Sequence, residues 1–400
     1  MFTPLRAALA ATLHALLALT ALAASPGQVI VDAGAYERTN TTVFVRAGGL
    51  APGSYSLHLG NQAVAMQVDS QGNGAFVLPY LPKGGTAIYT IHTTRLRPVV
   101  LTAREGRQLS LGIDQRPRAL FYQMEPSEVP SPDIAAVFRH GAHLHAFTPS
   151  GKQVTGDYPA DHRWHRGIWL GWTDTEFEGR HPDFWNMGKD NGKLTGEVRY
   201  ESLGGMWNGP VHGGFLARHV FVDHTGDTEK PVLNETWKVT VYAGAESANV
   251  FDLESTQTCA GDAPLKLPKY YYGGLGFRAN AQWEEKGVFT VLTSDGETDR
   301  VKANDAPCRW IALGGKVDGQ PCTVTIFCHP TNFRAPQPVR VNPKNPQTCH
   351  APSILGDWEI TPGKPYVSKY RFVVQDGVAD AQDLDRRWND YANPPKARVE

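Results

Sequence analysis

The sequence predicts an all-β protein, with a small N-terminal β-sandwich, a large antiparallel β-sandwich and a short C-terminal helix. Apolar and polar residues alternate over many short segments, as they do in strands with one buried face. Clusters of glycine, proline and asparagine interrupt these segments every 8 to 12 residues or so, as turns between short strands do. Helical spacing of apolar residues is almost absent before the C-terminal end.

We expect four segments: a signal peptide at 1–23, a small sandwich at 24–115, a large sandwich at 116–377, and a helix with a tail at 378–400. Arg6 precedes an apolar run that ends in Ala21-Leu22-Ala23. A basic start, an apolar run and a small-x-small end are typical of a cleaved secretory signal. The sequence therefore predicts export to the periplasm or the extracellular space.

The small sandwich is predicted from five alternating segments. They are Thr42 to Arg46, Tyr55 to Leu59, Ala63 to Val68, Ala75 to Leu78 and Ala87 to His92. Turn sequences such as Gly48-Gly49 and Pro52-Gly53 separate them. This region has no cluster of reactive side chains, so a structural or positioning role is expected.

The large sandwich shows the same alternation on longer strands. Trp237, Val239 and Val241 alternate with polar or amphipathic residues, which indicates one face in the core. After it, apolar residues recur at spacings of three and four from 381 to 391, with Asp380 as a plausible N-cap. We therefore expect a short helix that packs on the sheet.

The charge of the chain gives no indication of a polyanionic partner. Removal of the predicted signal leaves 38 basic side chains (39 less Arg6) against 40 acidic ones, a net charge of −2. No basic stripe and no further long apolar run follows. We expect no nucleic acid and no membrane as partner after cleavage.

The strongest functional signal is Asp161-His162-Arg163-Trp164-His165-Arg166-Gly167, which runs straight into a predicted strand at Trp169. Nine of the fourteen histidines lie between residues 140 and 224, and four of the ten tryptophans between 164 and 185. Imidazole transfers protons near neutral pH, and indole rings stack on sugars. We expect a pocket for a carbohydrate or another small polar ligand at this strand end, with His162 or His165 as acid or base.

Further candidates come from other parts of the chain. The predicted catalytic residues are His162, His165, Arg166, Glu235, Arg278 and His329, and the predicted substrate-binding residues are Asp161, Trp164, Trp169, Asp183, Trp185 and Tyr272. Arg166 and Arg278 are expected to stabilise an oxyanion or hold a carboxylate, and the indoles to stack on a sugar. Glu235 is expected to be a second acid or base. Glycines 273, 274 and 276 let backbone approach another surface closely.

Several of these residues have structural alternatives. His165 and Arg166 could form a salt bridge with Asp161, and Glu235 could be a strand-end charge. His329, before a proline, could be a turn residue bonded to backbone. His143 and His145 lie on one strand face and could bind a metal, but no third ligand is defined, so no metal and no cofactor are predicted.

Motifs that are missing exclude several classes of enzyme. The chain has no G-x-S-x-G elbow, H-E-x-x-H helix, Walker loop or G-x-G-x-x-G dinucleotide fingerprint. The five cysteines form no C-x-x-C motif, and their odd number leaves disulfide pairing open. A strand from Cys322 to Cys328 would hold its two sulfurs roughly 20 Å apart, too far for a bridge. We expect the cysteines to be small buried residues.

Six short blocks, spread over most of the chain after residue 23, form a distinctive set. They are Val31-Asp32-Ala33-Gly34, Thr148-Pro149-Ser150-Gly151, Asp161-His162-x-x-His165-Arg166-Gly167-x-Trp169, Asp183-Phe184-Trp185, Gly273-Gly274-Leu275-Gly276-Phe277-Arg278 and His329-Pro330-Thr331-Asn332. The set resembles the bacterial PmoA family, a family of unknown function labelled methane oxygenase. Its members usually have Asp-His-Pro-His-His-Arg-Gly, where this chain has Arg163 and Trp164 in the middle.

The resemblance implies a secreted, supersandwich-like fold of the kind seen in aldose mutarotases and some polysaccharide lyases. The label itself is interpreted as a misnomer, because a membrane oxygenase subunit needs several long apolar helices. The expected function is a secreted carbohydrate-active enzyme that hydrolyses, eliminates or epimerises a glycoside. The alternatives are a non-catalytic glycan-binding protein and, following the label, a metal-dependent oxygenase.

Overall fold

A computed structural model describes residues 27–114, 116–127, 132–189, 192–244 and 247–400. The predicted signal peptide at 1–23 lies outside these residues. Strands dominate, and the helices are short. The predicted all-β class is confirmed, because every strand pairing in the described ranges is antiparallel and the sheets stack into sandwiches.

The strands in chain order are β1 (Gln28–Asp32), β2 (Arg38–Arg46), β3 (Gly53–Leu59), β4 (Gln62–Val68), β5 (Asn73–Leu81), β6 (Thr86–Thr93), β7 (Val100–Glu105), β8 (Gln108–Ile113), β9 (Arg118–Gln123), β10 (His143–Ala146), β11 (Ile168–Gly171), β12 (Gly196–Trp207), β13 (His212–Asp223), β14 (Lys230–Tyr242), β15 (Ala248–Cys259), β16 (Leu265–Leu267), β17 (Gly274–Arg278), β18 (Thr290–Thr293), β19 (Ala306–Pro307), β20 (Trp310–Val317), β21 (Gln320–Cys328), β22 (Pro338–Val341), β23 (Gln347–His350), β24 (Trp358–Ile360), β25 (Tyr366–Asp376) and β26 (Lys396–Val399). The α-helices are α1 (Arg300–Ala303) and α2 (Ala381–Ala392), and short 3-10 helices cover Ala136–Phe138, Ala281–Glu284 and Pro352–Leu355.

The N-terminal unit is a seven-stranded sheet in the order β2-β5-β4-β3-β6-β1-β26. It curls around its own apolar core, which includes Val43, Leu57 and Phe76. Its last strand comes from the other end of the chain, because β26 pairs with β1 from Val29↔Val399 to Asp32↔Lys396. The C-terminal tail therefore returns to complete the first sheet.

The large sandwich consists of a nine-stranded sheet, β19-β22-β23-β17-β11-β10-β9-β8-β7, and an eight-stranded sheet, β12-β13-β14-β15-β25-β21-β20-β18. Leu144, Ile168 and Phe277 of the first sheet share a core with Phe215 and Trp237 of the second. Strands β7 and β8, before the predicted boundary at residue 115, pair within the nine-stranded sheet through β9. Hydrogen-bonded pairing rather than position in the chain decides which sheet they join.

Helix α2 lies where the C-terminal spacing predicted it. The side chain of Asp380 accepts a hydrogen bond from the backbone N–H of Asp383 at 2.9 Å, which caps the helix. Leu384 is buried against the outer side of the eight-stranded sheet with Trp310 and Phe327. On the helix's other side, Asp390 forms a buried ion pair with Arg38 of β2 at 2.9 Å. The helix thus connects both sandwich units.

The outer face of the nine-stranded sheet carries several of the predicted site residues. Alternation on β10, β11 and β17 points Leu144, Ile168 and Phe277 into the core, so their neighbours point the opposite way. Those outward residues include His143, His145, Trp169 and Arg278, and all four are buried under connecting segments. The loop that carries the His/Arg block and the loop after Trp172 form this cover.

The five cysteines are all free, and four of them are buried, in agreement with the expectation that they are small buried residues. None of the helices in the described ranges is long and apolar enough to cross a membrane.

Candidate active site

Three aromatic rings form a column on the outer face of the nine-stranded sheet. The imidazole of His162 stacks on that of His165, with centroids 4.7 Å apart and planes 11° from parallel. His165 in turn stacks on the indole of Trp169 at 4.9 Å. His162 is 33% exposed, whereas His165 is almost completely buried, so the column runs from the surface down to the sheet.

The base of the column depends on a glycine of the neighbouring strand. A Cβ atom added to Gly276 would lie only 2.5 Å from Cε2 of Trp169. The indole therefore lies directly on the backbone of β17, as the Gly-rich sequence predicts. Any larger residue at position 276 would displace Trp169 and the imidazoles stacked above it.

Two further tryptophans border the column. Trp185 is buried with its ring 4.7 Å from Trp169 and 5.6 Å from Tyr272. Trp164 is partly exposed and meets His162 edge to face at 5.2 Å. Because Trp169 and Trp185 are covered, Trp164 and Tyr272 are the predicted aromatic residues here with exposed surface.

Asp183 has a local structural role beside these rings. Its Oδ1 accepts hydrogen bonds from the backbone N–H groups of Trp185 at 2.9 Å and Asn186 at 2.8 Å. Its Oδ2 accepts from the side-chain amide of Asn186 at 2.7 Å. This carboxylate holds the turn that places Trp185, and Asn186 also donates to the hydroxyl of Tyr272 at 2.9 Å.

Arg278, at the end of the Gly-rich strand, is fully buried and faces two carboxylates. Its Nη2 donates to Asp161 at 2.9 Å and is also paired with Glu284 at 2.5 Å. Asn345 donates to the other oxygen of Asp161 at 2.6 Å. The charge of Arg278 is thus matched by Asp161 and Glu284, and these two carboxylates are 41% and 40% exposed although Arg278 itself is not.

Asp161 connects this ion pair to the ring column. Its Oδ2 lies 2.9 Å from Nδ1 of His162. Burial alone would raise the pKa of Asp161, but the charge of Arg278 and the hydrogen bonds of Asn345, His162 and Arg278 lower it to about 2. The carboxyl group is therefore ionised at any physiological pH.

His165 is held neutral. Burial lowers the pKa of its imidazole well below 6.5, and the nearby His162 and Arg278 lower it further. A neutral imidazole has one N–H donor and one acceptor nitrogen. Neither ring nitrogen of His165 has a hydrogen-bond partner among the described residues.

Unpartnered polar atoms are concentrated around the column. Within the described part of the chain, the buried atoms with neither a hydrogen bond nor an ion-pair contact include Nε1 of Trp164, both ring nitrogens of His165, Nε1 of Trp169, Nε of Arg278 and Oδ1 of Asn345. Buried polar groups are normally paired, so such a group of exceptions marks a place where a ligand or water supplies the missing partners.

Arg166 belongs to a separate ion pair. Its Nε and Nη2 hold the carboxylate of Asp157, the second at 3.2 Å, and its Nη1 donates to the hydroxyl of Tyr158. Its guanidinium is buried and also lies over the ring of Tyr158 at 3.7 Å. The alternative of a salt bridge between Arg166 and Asp161 is therefore wrong. Arg166 pairs with Asp157, and Asp161 pairs with Arg278.

The structure does not bring two predicted residues to this site. Glu235 lies inside the sandwich, where it accepts hydrogen bonds from Ser255 at 2.6 Å and Gln257 at 2.8 Å and pairs with His219 at 2.9 Å. It faces the core, on the other side of the nine-stranded sheet from Trp169. His329 lies at the end of β21, beside Tyr391 of α2 with ring centroids 4.9 Å apart.

Sequence reasoning missed Glu284, Asn345 and Asp157. Glu284 follows Arg278 by six residues in the same connection, a spacing that could have suggested a local pair. Asn345 is 184 residues from Asp161 along the chain, and no local pattern connects them. Asp157 is a third potential metal ligand beside His143 and His145, because ligand atoms of the three lie within 4.8 Å of one another.

Comparison with known families gives one clear match. The model of a family of unknown function, DUF6807, matches residues 108–389, which is more than half of the chain. The chain belongs to the DUF6807 family. The matched DUF6807 region begins at β8 and ends within α2, so it includes the ring column, Arg278 and Asp157.

Membership of DUF6807 corrects the resemblance to the PmoA family, which the family match does not bear out. The oxygenase alternative, which rested on the PmoA label, loses its basis. No curated protein matches this DUF6807 chain.

The solved structures to which this DUF6807 chain is similar include the following two. An α-mannosidase from Enterococcus faecalis V583 is 13% identical with a TM-score of 0.41, and the match covers 94% of this chain and 46% of the mannosidase. A GalM/aldose epimerase homologue from C. elegans is 12% identical with a TM-score of 0.29, over 71% of this chain and 100% of the homologue. The chain thus spans less than half of the mannosidase, and both TM-scores are too low to carry an argument about activity.

Proposed function

We propose that this DUF6807 protein is an exported carbohydrate-active enzyme that transfers a proton at the surface end of the ring column. The observation that carries the proposal is the Asp161–His162 pair. It combines an ionised carboxylate, a partly exposed imidazole 2.9 Å away and a set of unpartnered polar atoms directly beneath.

The chemistry follows from the two groups. An ionised carboxylate beside Nδ1 of an imidazole favours the tautomer with the proton on Nδ1 and stabilises the imidazolium that forms when Nε2 takes a second proton. His162 is therefore the general acid or base, and Asp161 orients it. Hydrolysis, elimination and epimerisation of a glycoside all need such a transfer, so this pair fits each of them.

Arg278 is a positioning residue in this proposal. Its guanidinium is buried between Asp161 and Glu284, so it acts on a substrate only through these carboxylates. It keeps Asp161 ionised and fixes its direction. His165 and Trp169 support His162 from below, and their ring nitrogens are buried without a hydrogen-bond partner among the described residues.

A sugar is the ligand that this surface suits. The partly exposed ring of Trp164 meets His162, and such an indole can stack on the apolar face of a pyranose. Asp161 and Glu284, each about two-fifths exposed, have carboxylate oxygens that can accept hydrogen bonds from the hydroxyl groups of a sugar. Aromatic surface next to carboxylates is the combination that sugar rings require.

A screen of oligosaccharides and oxidised (keto) glycosides with the wild type and His162→Gln tests the proposal. Loss of a general acid or base costs about a hundredfold or more in rate. His92→Gln, which removes an exposed histidine of the N-terminal unit, is the control and should keep full activity. Equal turnover by wild type and His162→Gln would remove His162 from the mechanism.

A non-catalytic glycan-binding protein is the second candidate. The burial of His165, Trp169 and Arg278 favours a binding protein. These buried groups would then only support the partly exposed residues above them, such as His162 and Trp164, and those partly exposed residues would contact the ligand. In that case His162→Gln weakens glycan binding in calorimetry, and no member of the panel is turned over. A pH–rate profile that follows one imidazole would reject the binder.

A further inference from the structure

We infer that His143, His145 and Asp157 bind a divalent transition-metal ion beside the proposed sugar site. The two histidines lie at i and i+2 on β10, so both side chains leave the same face of the sheet. Asp157 approaches from the loop that covers this face. Ligand atoms of the three residues lie within 4.8 Å of one another.

His143 is oriented as a metal-binding imidazole would be. Its Nδ1 lies 3.2 Å from the carbonyl oxygen of Gly141, so the Nδ1–H donates there and Nε2 keeps its lone pair. That Nε2 is buried, and no group in the described ranges donates to it. A backbone carbonyl that holds one ring nitrogen while the other binds the ion is the usual arrangement at metal sites.

His145 and Asp157 leave a gap of the right size. Nε2 of His145 and Oδ2 of Asp157 are 3.8 Å apart, which is too long for a hydrogen bond. Two ligands that each lie about 2.1 Å from a tetrahedral ion are about 3.4 Å apart, so a small side-chain rotation accommodates one. Nδ1 of His145 lies 2.9 Å from the hydroxyl of Thr155 and 3.1 Å from the side-chain amide nitrogen of Gln153, and these contacts fix the ring with Nε2 towards Asp157. A metal on Nε2 requires the proton to be on Nδ1, which then donates to Thr155, and requires the amide of Gln153 to turn its oxygen towards Nδ1.

Neighbouring groups define which ions suit the site. Arg166 holds the carboxylate of Asp157 and adds a positive charge, which weakens binding of any cation. His140 is no ligand, because its two nitrogens face the carbonyl oxygens of Gly141 and Trp164, each at 3.1 Å. Two imidazoles and one carboxylate favour Zn²⁺, Cu²⁺ or Co²⁺ over Mg²⁺ and Ca²⁺, which prefer oxygen ligands.

The site is distinct from the Asp161–His162 pair. It shares none of its ligands with that pair, and it lies on β10, whereas the ring column rests on β11. A metal here would anchor the loop that carries the His/Arg block, because Asp157 lies at its start. The inference therefore stands whether or not the protein acts on carbohydrates.

Titration of the EDTA-stripped full-length chain, without an affinity tag, with Co²⁺ tests the inference. We expect one Co²⁺ per chain, with visible absorption from a site that contains nitrogen ligands, and displacement by Zn²⁺. His143→Gln and Asp157→Asn should each bind about tenfold more weakly or worse. His350→Gln is the matched control, since His350 is also buried with an unpartnered Nε2 in the described structure but lies on β23.

Two results would overturn the inference. One is a wild-type chain that takes up no Co²⁺, and the other is equal affinity in the wild type and both ligand variants. Should His143→Gln fail to fold by far-UV circular dichroism, Asp157→Asn decides, because it keeps the shape of the carboxylate and removes its charge. Loss of binding in His350→Gln as well would show a general effect of removing buried imidazoles and also reject the site.

Discussion

The contact between Trp169 and Gly276 predicts that a single added methyl group will disturb the whole ring column. In Gly276→Ala the new Cβ would lie 2.5 to 2.8 Å from three atoms of the indole, Cε2, Cζ2 and Cδ2. Trp169 is 3% exposed and is covered by His165 and Trp185, so it cannot move aside alone. Gly276 lies within β17, where alanine is allowed, so the clash is the main effect.

Overpacking of this kind costs about 1–3 kcal/mol. With a urea slope of about 3 kcal/mol/M, a loss of about 2 kcal/mol lowers the unfolding midpoint by about 0.7 M. Near-UV circular dichroism should change as well, because the indoles of Trp169 and its neighbour Trp185 absorb there and would shift relative to each other. Both quantities are measured on the full-length chain.

Gly112→Ala is the control for this prediction. Gly112 lies on β8 of the same sheet, and nothing in the described structure comes within 4 Å of a Cβ built there. Its replacement should leave the midpoint and the near-UV spectrum almost unchanged. The double variant Gly276→Ala/Trp169→Leu should recover part of the loss, since the clashing ring is gone. A Gly276→Ala protein that matches Gly112→Ala in both measurements would refute the stacking argument.

Three further predictions concern stability, each measured by urea unfolding. Burial lowers the pKa of His350 from 6.5 to about 3, so the unfolded chain binds a proton there below about pH 6.5 and the folded chain does not. Stability should fall as the pH drops from 6.5 towards 3, by up to about 1.4 kcal/mol per pH unit, and His350→Gln should make this slope shallower. Asp390→Ala leaves the buried Arg38 without its carboxylate and should cost about 3–5 kcal/mol, whereas Asp114→Ala, in an exposed pair with Arg97, should change little. Glu235→Gln should cost about 1–3 kcal/mol, because an amide NH₂ replaces one of the two oxygens that contact Ser255, Gln257 and His219 inside the sandwich; a stability equal to that of the wild type would show that this network is not needed.

Most of the strands and the C-terminal helix could be predicted from two signals, the alternation of apolar and polar residues and the helix N-cap. Period-two patterns correctly indicated strands such as β14, and Asp380 correctly indicated the start of α2. These signals are local, because each depends on residues a few positions apart. Sheet membership is not local, so the return of β26 to β1 has no counterpart in any short pattern.

The sequence predicted several residues of the site but not which of their charged groups form ion pairs with each other. The His/Arg block indicated the region, and His162, His165 and Arg278 do lie together around Asp161. The ion pairs depend on the paths of the loops, which no local pattern predicts. Arg166 therefore pairs with Asp157 and not with Asp161. The burial of Glu235 could have been predicted. It lies an even number of residues from Trp237, Val239 and Val241 on the same strand, so its side chain points to the core as theirs do.

The pairing of β1 with β26 has a mechanical consequence. The backbone N–H of Gln28 donates to the carbonyl of Glu400 at 2.7 Å, and that of Glu400 donates to Gln28 at 2.9 Å. A force that draws residues 28 and 400 apart loads these bonds one after another, like a zipper opened from its end, instead of shearing the strands all at once. In single-molecule stretching the last strand should peel away at low force, well before the two large sheets rupture.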